Sequence, residues 1–153
     1  MAELASIPAD RLMPASVDPG PAGYPPVKVR AAAADLLPAR SLYHQETQSL
    51  VRDFLTYDEI PGVTNCSTAN LPAGFRIERH VHPSKYEIFL VGGGKGVFRV
   101  WQAGASESDE PREVFELRTG VCCTVGPEEP HEIEAYEDGL VLTYLGVVAP
   151  ESK

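Results

Sequence analysis

The chain has 153 residues, a net charge of −9, 43% hydrophobic residues and 23% charged residues. This length supports a single domain with a real hydrophobic core. The acidic balance disfavours nucleic acid and anionic membranes as partners, because like charges repel. No apolar run approaches the ~20 residues that a membrane-spanning helix needs. The first residues also lack the apolar segment of a signal peptide, so we expect a cytoplasmic location.

Cysteine usage supports the same compartment. The three cysteines are Cys66, Cys122 and Cys123. An odd count with two adjacent residues is a poor disulfide framework. We therefore expect free thiols in a reducing cytoplasm, with a redox pair at Cys122 and Cys123 as the alternative.

The N-terminal part, residues 1–40, differs in composition from the rest. It holds seven of the fourteen prolines and ten alanines, which favours an extended arm over a separate domain. One short helix is predicted around Arg30–Leu37, where alanines favour helix and Pro38 ends it. The arm would either move freely or lie across a partner subunit, and residues 41–153 would form the folded domain.

From Ser49 onward the pattern is typical of β-structure. Short segments rich in Val, Thr, Phe and Tyr alternate with turn signals, which predicts an all-β sandwich or barrel. Two of the predicted turns are the glycine-dense segment Gly92–Gly96 and Glu137–Gly139. The predicted strands are Leu50–Tyr57, Val63–Leu71, Phe75–His82, Tyr86–Val91, Val97–Gln102, Glu113–Leu117, Val121–Val125, His131–Tyr136 and Leu140–Val148.

Three metal-capable side chains, His80, His82 and Glu87, lie close together in the sequence. Alternate residues of a strand share a face, so His80 and His82 would project to the same side. A turn at residues 83–85 would bring Glu87 onto that face from the neighbouring strand of a hairpin. This mixed nitrogen and oxygen set suits iron, manganese, nickel, copper or zinc, and it leaves coordination positions for water or substrate.

The same residues form part of a longer pattern. The spacing Gly-x5-His-x-His-x4-Glu-x6-Gly matches the first cupin motif at every fixed position, with Gly74, His80, His82, Glu87 and Gly94. The second cupin motif is matched in part. Gly120 and His131 are in register, whereas the usual Pro, Gly and Asn are replaced by Gly126, Glu128 and Ala135. Over residues 45–148 the chain resembles a single-domain cupin.

This resemblance implies a cupin jelly-roll and a metal site of three histidines and one glutamate. In that site His131 would be the fourth ligand, beside His80, His82 and Glu87. It also implies one divalent first-row transition metal per chain (Fe, Mn, Ni, Cu or Zn) and a homodimer. The departures around Gly126 concern the turn geometry more than the metal.

Two further residues are candidates for catalysis. If His80 and His82 face inward, strand alternation also points Arg76 and Glu78 inward, and Glu78 would serve as general base. A strand bulge that turns Glu78 to solvent is the alternative. Tyr144 on the last strand is a candidate pocket hydroxyl. An apolar cavity, or a plain core, would use Phe89, Val91, Phe98, Val125, Ile133 and Leu142.

His44 matches no motif, and we interpret it as a structural or surface residue. The resemblance favours a metal-dependent enzyme that acts on a small organic molecule chelating the metal, with dioxygenase chemistry first. A non-redox cyclase, isomerase or lyase, for example one similar to polyketide cyclases, is the second hypothesis. A non-catalytic small-molecule-binding cupin is the third.

Overall fold

The computed structural model describes residues 31–45 and 47–151, and these form β-structure with a 3₁₀ turn at Ala34–Leu36. The all-β prediction is confirmed. No helix in these ranges has the length and apolar character needed to cross a membrane. The strands are β1 (Ala39–Arg40), β2 (Val51–Leu55), β3 (Val63–Leu71), β4 (Arg76–His80), β5 (Lys85–Val100), β6 (Glu113–Arg118), β7 (Cys122–Val125) and β8 (His131–Val148).

Most of the predicted N-terminal arm lies outside the described residues. Arg30, the first residue of the predicted helix Arg30–Leu37, also lies outside them. In the part of that segment that the structure describes, only the three-residue 3₁₀ turn is helical. Ala39 and Arg40, the last two residues assigned to the arm, pair with β2 as the first strand of the sheet. The sheet therefore begins two residues earlier than the predicted domain boundary.

Two long strands organise the sheet, because β5 and β8 pair along almost their whole lengths, from Lys85 opposite Val148 to Val100 opposite His131. The turns predicted at Gly92–Gly96 and Glu137–Gly139 do not end strands, so that part of the prediction is wrong. Instead the two strands bend together. Gly94 and Gly139 both have positive φ, +78° and +70°, and a Cβ on Gly94 would collide with the carbonyl oxygen of Gly139.

Phe89 and Phe98 show how sharp this bend is. Nine residues separate them on β5, and a straight strand would place them roughly 30 Å apart. Their ring centroids are 5.7 Å apart, so β5 turns back on itself and the sheet closes around a core. The antiparallel order is β1-β2-β3-β8-β5-β6, with β4 added to β8 and β7 added to β5. The most deeply buried apolar side chains are Phe98, Ile133, Leu140, Leu142, Val51 and Val97.

Strand β4 departs from simple alternation. Its pairing with β8 shifts register between Ile77 and His80, which marks a bulge. Ile77 is buried, whereas Arg76 and Glu78 are exposed. The prediction that alternation points Arg76 and Glu78 inward is therefore wrong, and the bulge alternative describes this strand.

Candidate metal centre

Four side chains that can bind a metal converge at one end of the sheet. His80, His82, Glu87 and His131 each offer a ligand atom, and these atoms lie within 4.8 Å of one another. His80 ends β4 and His131 begins β8, where the two are direct register partners. Glu87 comes from β5, which pairs with β8 rather than with β4. The four predicted residues do meet, but β8 brings them together instead of the predicted hairpin.

The backbone fixes the tautomer of two of the imidazoles. His80 Nδ1 lies 2.7 Å from the carbonyl oxygen of Glu78, and His131 Nδ1 lies 2.9 Å from that of Glu129. A carbonyl oxygen only accepts, so each Nδ1 must carry the proton and donate it. When such a ring is neutral, its Nε2 carries the free lone pair that a metal ligand requires.

The third imidazole has an unsatisfied nitrogen. His82 Nε2 is buried and makes no hydrogen bond within the described part of the chain. It lies 3.2 Å from Glu87 Oε2, but this contact does not have the geometry of a hydrogen bond. A buried polar atom without a partner is costly, and a cation in front of it would remove that cost.

Glu87 connects the imidazoles to a lysine. Its Oε2 lies 3.2 Å from Nε2 of both His82 and His131, and its Oε1 lies 2.8 Å from Lys85 Nζ. Burial alone would raise the pKa of Glu87, but the ring nitrogens of His131 and His82 and the Lys85 ammonium hold it well below its ordinary value. Glu87 is therefore a carboxylate anion at neutral pH.

His80 is neutral at the same pH. Burial, with the neighbouring imidazole of His131, lowers the pKa of His80 to about 3. An imidazole must be neutral to bind a metal, so His80 is ready to do so without losing a proton.

These observations fit a divalent first-row ion. Bonds of about 2.0–2.2 Å to nitrogen and oxygen would place ligand atoms on opposite sides of an ion about 4.2 Å apart. The observed spread of up to 4.8 Å is close to that value. Three imidazoles and one carboxylate are the donors that borderline metals prefer. The prediction of a metal-capable cluster is confirmed, and the donor set does not select one metal.

Solved structures with the same fold carry several different descriptions. They include a predicted oxalate decarboxylase from Thermotoga maritima (TM-score 0.58, 16% identity, 78% of this chain and 97% of that chain). A cupin protein from Bacteroides fragilis has a TM-score of 0.52 and 20% identity over 75% of this chain and 88% of that chain. The chain has the cupin fold.

A third structure with this fold is Drosophila melanogaster CENP-C bound to CAL1 (TM-score 0.55, 11% identity, 78% of this chain and 85% of that chain). No protein-family model and no curated protein sequence matches the chain. Proteins with such different descriptions share this architecture, so the function must be argued from the site.

Three of the four candidate ligands, His80, His82 and Glu87, line a cavity of about 550 Å³, and His131 lies buried behind them. Of the apolar residues predicted to line it, Phe89, Ile133 and Leu142 do so, whereas Val91, Phe98 and Val125 belong to the closed core. Tyr144 lines the cavity, as predicted. Glu78 is exposed and is not among the lining residues. Its backbone carbonyl, not its carboxylate, reaches the site, through His80.

His44, interpreted from the sequence as a structural or surface residue, lies beside the candidate metal centre. Its ring stacks on that of His80 with centroids 3.8 Å apart, and it lines the cavity. Burial, together with the imidazole of His82, lowers the pKa of His44. No sequence signal marks His44, because it lies outside both motifs and reaches the site only through the fold of the connection from β1 to β2.

A polar network on β2 and β3 forms another part of the cavity wall. Arg40 binds Asp53 through two hydrogen bonds of 2.6 and 2.8 Å. Asp53 also accepts a hydrogen bond from Ser67, whose hydroxyl in turn accepts one from Asn65. Burial raises the pKa of Tyr144, which lies near this network. The cavity is therefore lined by candidate metal ligands, by apolar side chains and by hydrogen-bonded polar side chains.

Proposed function

We propose that this cupin is a metal-dependent enzyme whose small organic substrate chelates the metal, with dioxygenation as the leading reaction. The observation that carries the proposal is the convergence of four ligand atoms within 4.8 Å of one another, three of them from residues that line a cavity of about 550 Å³, His80, His82 and Glu87. A divalent ion bound there would supply Lewis acidity and, in the case of iron, reactivity towards dioxygen. Cavities of this size suit small organic ligands.

The chain's own side chains would prepare the substrate. The carbonyls of Glu78 and Glu129 orient two imidazoles, and Phe89, Ile77 and Leu142 keep water away from the reacting atoms. Because its pKa is raised, Tyr144 keeps its proton at neutral pH and is able to donate a hydrogen bond to a substrate oxygen. A catalytic role for the Glu78 carboxylate stays a prediction.

Dioxygenation needs no reagent other than the substrate and dioxygen to balance its electrons and atoms. The substrate gives up four electrons, dioxygen accepts them, and both oxygen atoms are found in the product. The test is an oxygen-uptake assay of the iron-loaded full chain with chelating probes, 2,4-pentanedione and 2-hydroxybenzoate, beside the His131→Ala variant. We expect metal-dependent uptake that the variant lacks. Product formation of equal rate under strict anaerobiosis would overturn the dioxygenase proposal.

A non-redox cyclase, isomerase or lyase is the second candidate. It is favoured by the proton-bearing side chains that line the same cavity, Tyr144, Lys85 and His44. Such reactions need a proton moved beside a polarised carbonyl, and zinc is sufficient for the polarisation. Anaerobic turnover by the zinc-loaded chain would support this candidate. If His82→Ala abolished metal binding and left the biological activity untouched, the non-catalytic binding cupin would replace both.

We also propose a cytoplasmic homodimer. All three cysteines are free thiols, and Cys122 is exposed, which suits a reducing compartment. Large apolar side chains are exposed on the outer sheet surface, among them Leu90, Val114 and Phe115. Light scattering of the full chain is expected to give twice 16.6 kDa. A monomeric mass would overturn the dimer.

A further inference from the structure

Lys85 is the cavity residue whose position says most about the substrate. It begins β5, lines the cavity, and keeps 22% of its side chain exposed. Its Nζ lies 2.8 Å from Glu87 Oε1, the carboxylate oxygen that points away from His82 and His131. Lys85 thus sits directly beside the metal cluster without being one of its ligands.

The ammonium group of Lys85 has capacity for a second partner. An ammonium offers three N–H donors, and Glu87 takes one. Among residues 31–45 and 47–151, the ammonium group of Lys85 has no other hydrogen-bond or ion-pair partner. Two donors are therefore left for a molecule in the cavity.

The charge balance of the cavity favours an anion in that place. Four charged residues line it within the described ranges, Arg40, Asp53, Lys85 and Glu87. Arg40 and Asp53 form a two-hydrogen-bond pair, and Lys85 pairs with Glu87, so the lining is close to neutral. A divalent ion would add two positive charges that no lining residue offsets. An anionic group of the substrate would offset them, despite the acidic balance of the whole chain.

The other residues that line the cavity limit the kind of molecule to which the anionic group belongs. Beside its polar residues, the cavity is lined by a set of apolar side chains, Leu42, Ala69, Ile77, Phe89, Ile133 and Leu142. A two-carbon diacid would leave this surface and most of the 550 Å³ without contact. A larger, mainly apolar acid would cover it.

We infer that the substrate is an apolar organic acid whose carboxylate, together with a neighbouring oxygen, binds at the metal and at Lys85 Nζ. This inference rests on the proposed metal-dependent function and adds the substrate class. It assigns Lys85 two contacts, Glu87 on one side and the substrate carboxylate on the other. A charge-assisted hydrogen bond of this kind is worth about ten- to hundredfold in affinity.

The test is calorimetric titration of the zinc-loaded full chain with two probes of equal shape, 2-hydroxybenzoate and its neutral amide, 2-hydroxybenzamide. We expect the acid to bind at least about tenfold more tightly than the amide. Lys85→Met should reduce this preference to what the charge of the zinc ion alone provides, and Lys85→Arg should keep it in full. Lys95→Met is the matched control, because Lys95 lies on the same strand, is exposed, and is outside the cavity.

Zinc content, measured by elemental analysis for every variant, separates the two possible failures. If the wild-type chain binds no zinc, the proposed function is overturned. If it binds zinc but shows no preference for the acid, or if Lys85→Met keeps the full preference of the wild type, the substrate class is overturned and the metal site stands. If Lys85→Met does not bind zinc, the Lys85→Arg variant tests the inference instead. A zinc-loaded Lys85→Arg chain that no longer prefers the acid over the amide would contradict it.

Discussion

The imidazole of His44 stacks on that of His80, with ring centroids 3.8 Å apart and ring planes inclined by 21°. The neighbouring Gln45 holds this arrangement in place. Its amide donates to the carbonyl of Arg76 and accepts from the N–H of Glu78, at 3.1 and 2.9 Å. Because the Glu78 carbonyl in turn accepts the His80 Nδ1 proton, the connection from β1 to β2 is tied directly to a metal ligand.

The first prediction concerns this stack. His44→Ala should weaken metal binding by about two- to twelvefold, because a stacked aromatic pair is worth about 0.5–1.5 kcal/mol and orients His80. His44→Phe should restore most of the affinity, since it keeps a flat ring. Competition with a metal-chelating dye measures both. Equal affinity of His44→Ala and the wild type would show that the stack does not orient the ligand.

The second prediction separates the metal-free and metal-loaded states. In the wild type, metal at 100 times its Kd should add about 2.7 kcal/mol to the free energy of unfolding. His82→Ala removes a ligand, and a loss of about 100-fold in affinity would leave a gain of only about 0.4 kcal/mol at the same metal concentration.

Without metal, His82→Ala should change the melting temperature less than it does with zinc, since the 3.2 Å approach of His82 Nε2 to Glu87 lacks the geometry of a hydrogen bond. Thermal melts with zinc and with a chelator measure both effects. Glu78→Gln is the control because its carboxylate is exposed. Undiminished stabilisation of His82→Ala by zinc would contradict the assignment of the ligand.

The third prediction is a pH dependence of the metal-free protein. Burial lowers the pKa of His80 from 6.5 to about 3. Between these two pH values His80 is therefore protonated in the unfolded chain and neutral in the folded chain. The free energy of unfolding should therefore fall as the pH drops from about 6.5 towards 3, by up to about 1.4 kcal/mol per pH unit.

Between pH 7 and pH 5 the carboxylates add little, because the ordinary pKa values of Asp53 and Glu87 are 3.8 and 4.5. His44 adds to the slope in the same direction, since its pKa is also lowered. Urea titrations in chelator at several pH values measure the slope, and His80→Asn should flatten it. A wild-type stability that does not change from pH 7 to pH 5 would refute the burial of a neutral His80.

The fourth prediction compares two glycines on the same strand. Gly94→Ala should cost about 3 kcal/mol and lower Tm by about 6–12 °C, because its φ is positive and a Cβ would meet the Gly139 backbone. Gly92→Ala should cost less than about 1 kcal/mol, since its nearest neighbour, Val141, is 3.7 Å from the added Cβ. Calorimetric melts measure the difference, and equal losses would show that the bend does not require Gly94.

The fifth prediction tests the two candidate catalytic side chains with a substrate once one is found. Tyr144→Phe should lower kcat/KM by about 100-fold with unchanged metal content, because the lost hydroxyl lies in the cavity. Glu78→Gln should change kcat/KM by less than about twofold, because the carboxylate is exposed. A large effect of Glu78→Gln would restore the role of general base.

The residues of the first motif could be predicted as a unit because their chemistry is local. His80, His82 and Glu87 lie within eight positions of one another, and the motif glycine Gly94 does have the positive φ expected for a glycine in such a pattern. His131 was placed through the resemblance of the second motif. The all-β character followed from alternation and turn signals, which also depend only on neighbours along the chain.

The tertiary structure decided the features that depend on partners distant in sequence. Whether glycines end a strand or bend it depends on the strand beside them, and the pairing of β5 with β8 carries both strands through their bends. The bulge that turns Glu78 outward arises where β4 changes register against β8. Lys85 lies two residues before Glu87 on β5, so alternation along the strand already places both side chains on one face. His44 reaches His80 only once the chain has closed on itself, since a pattern of neighbours along the chain holds no information about which side chains meet across a cavity.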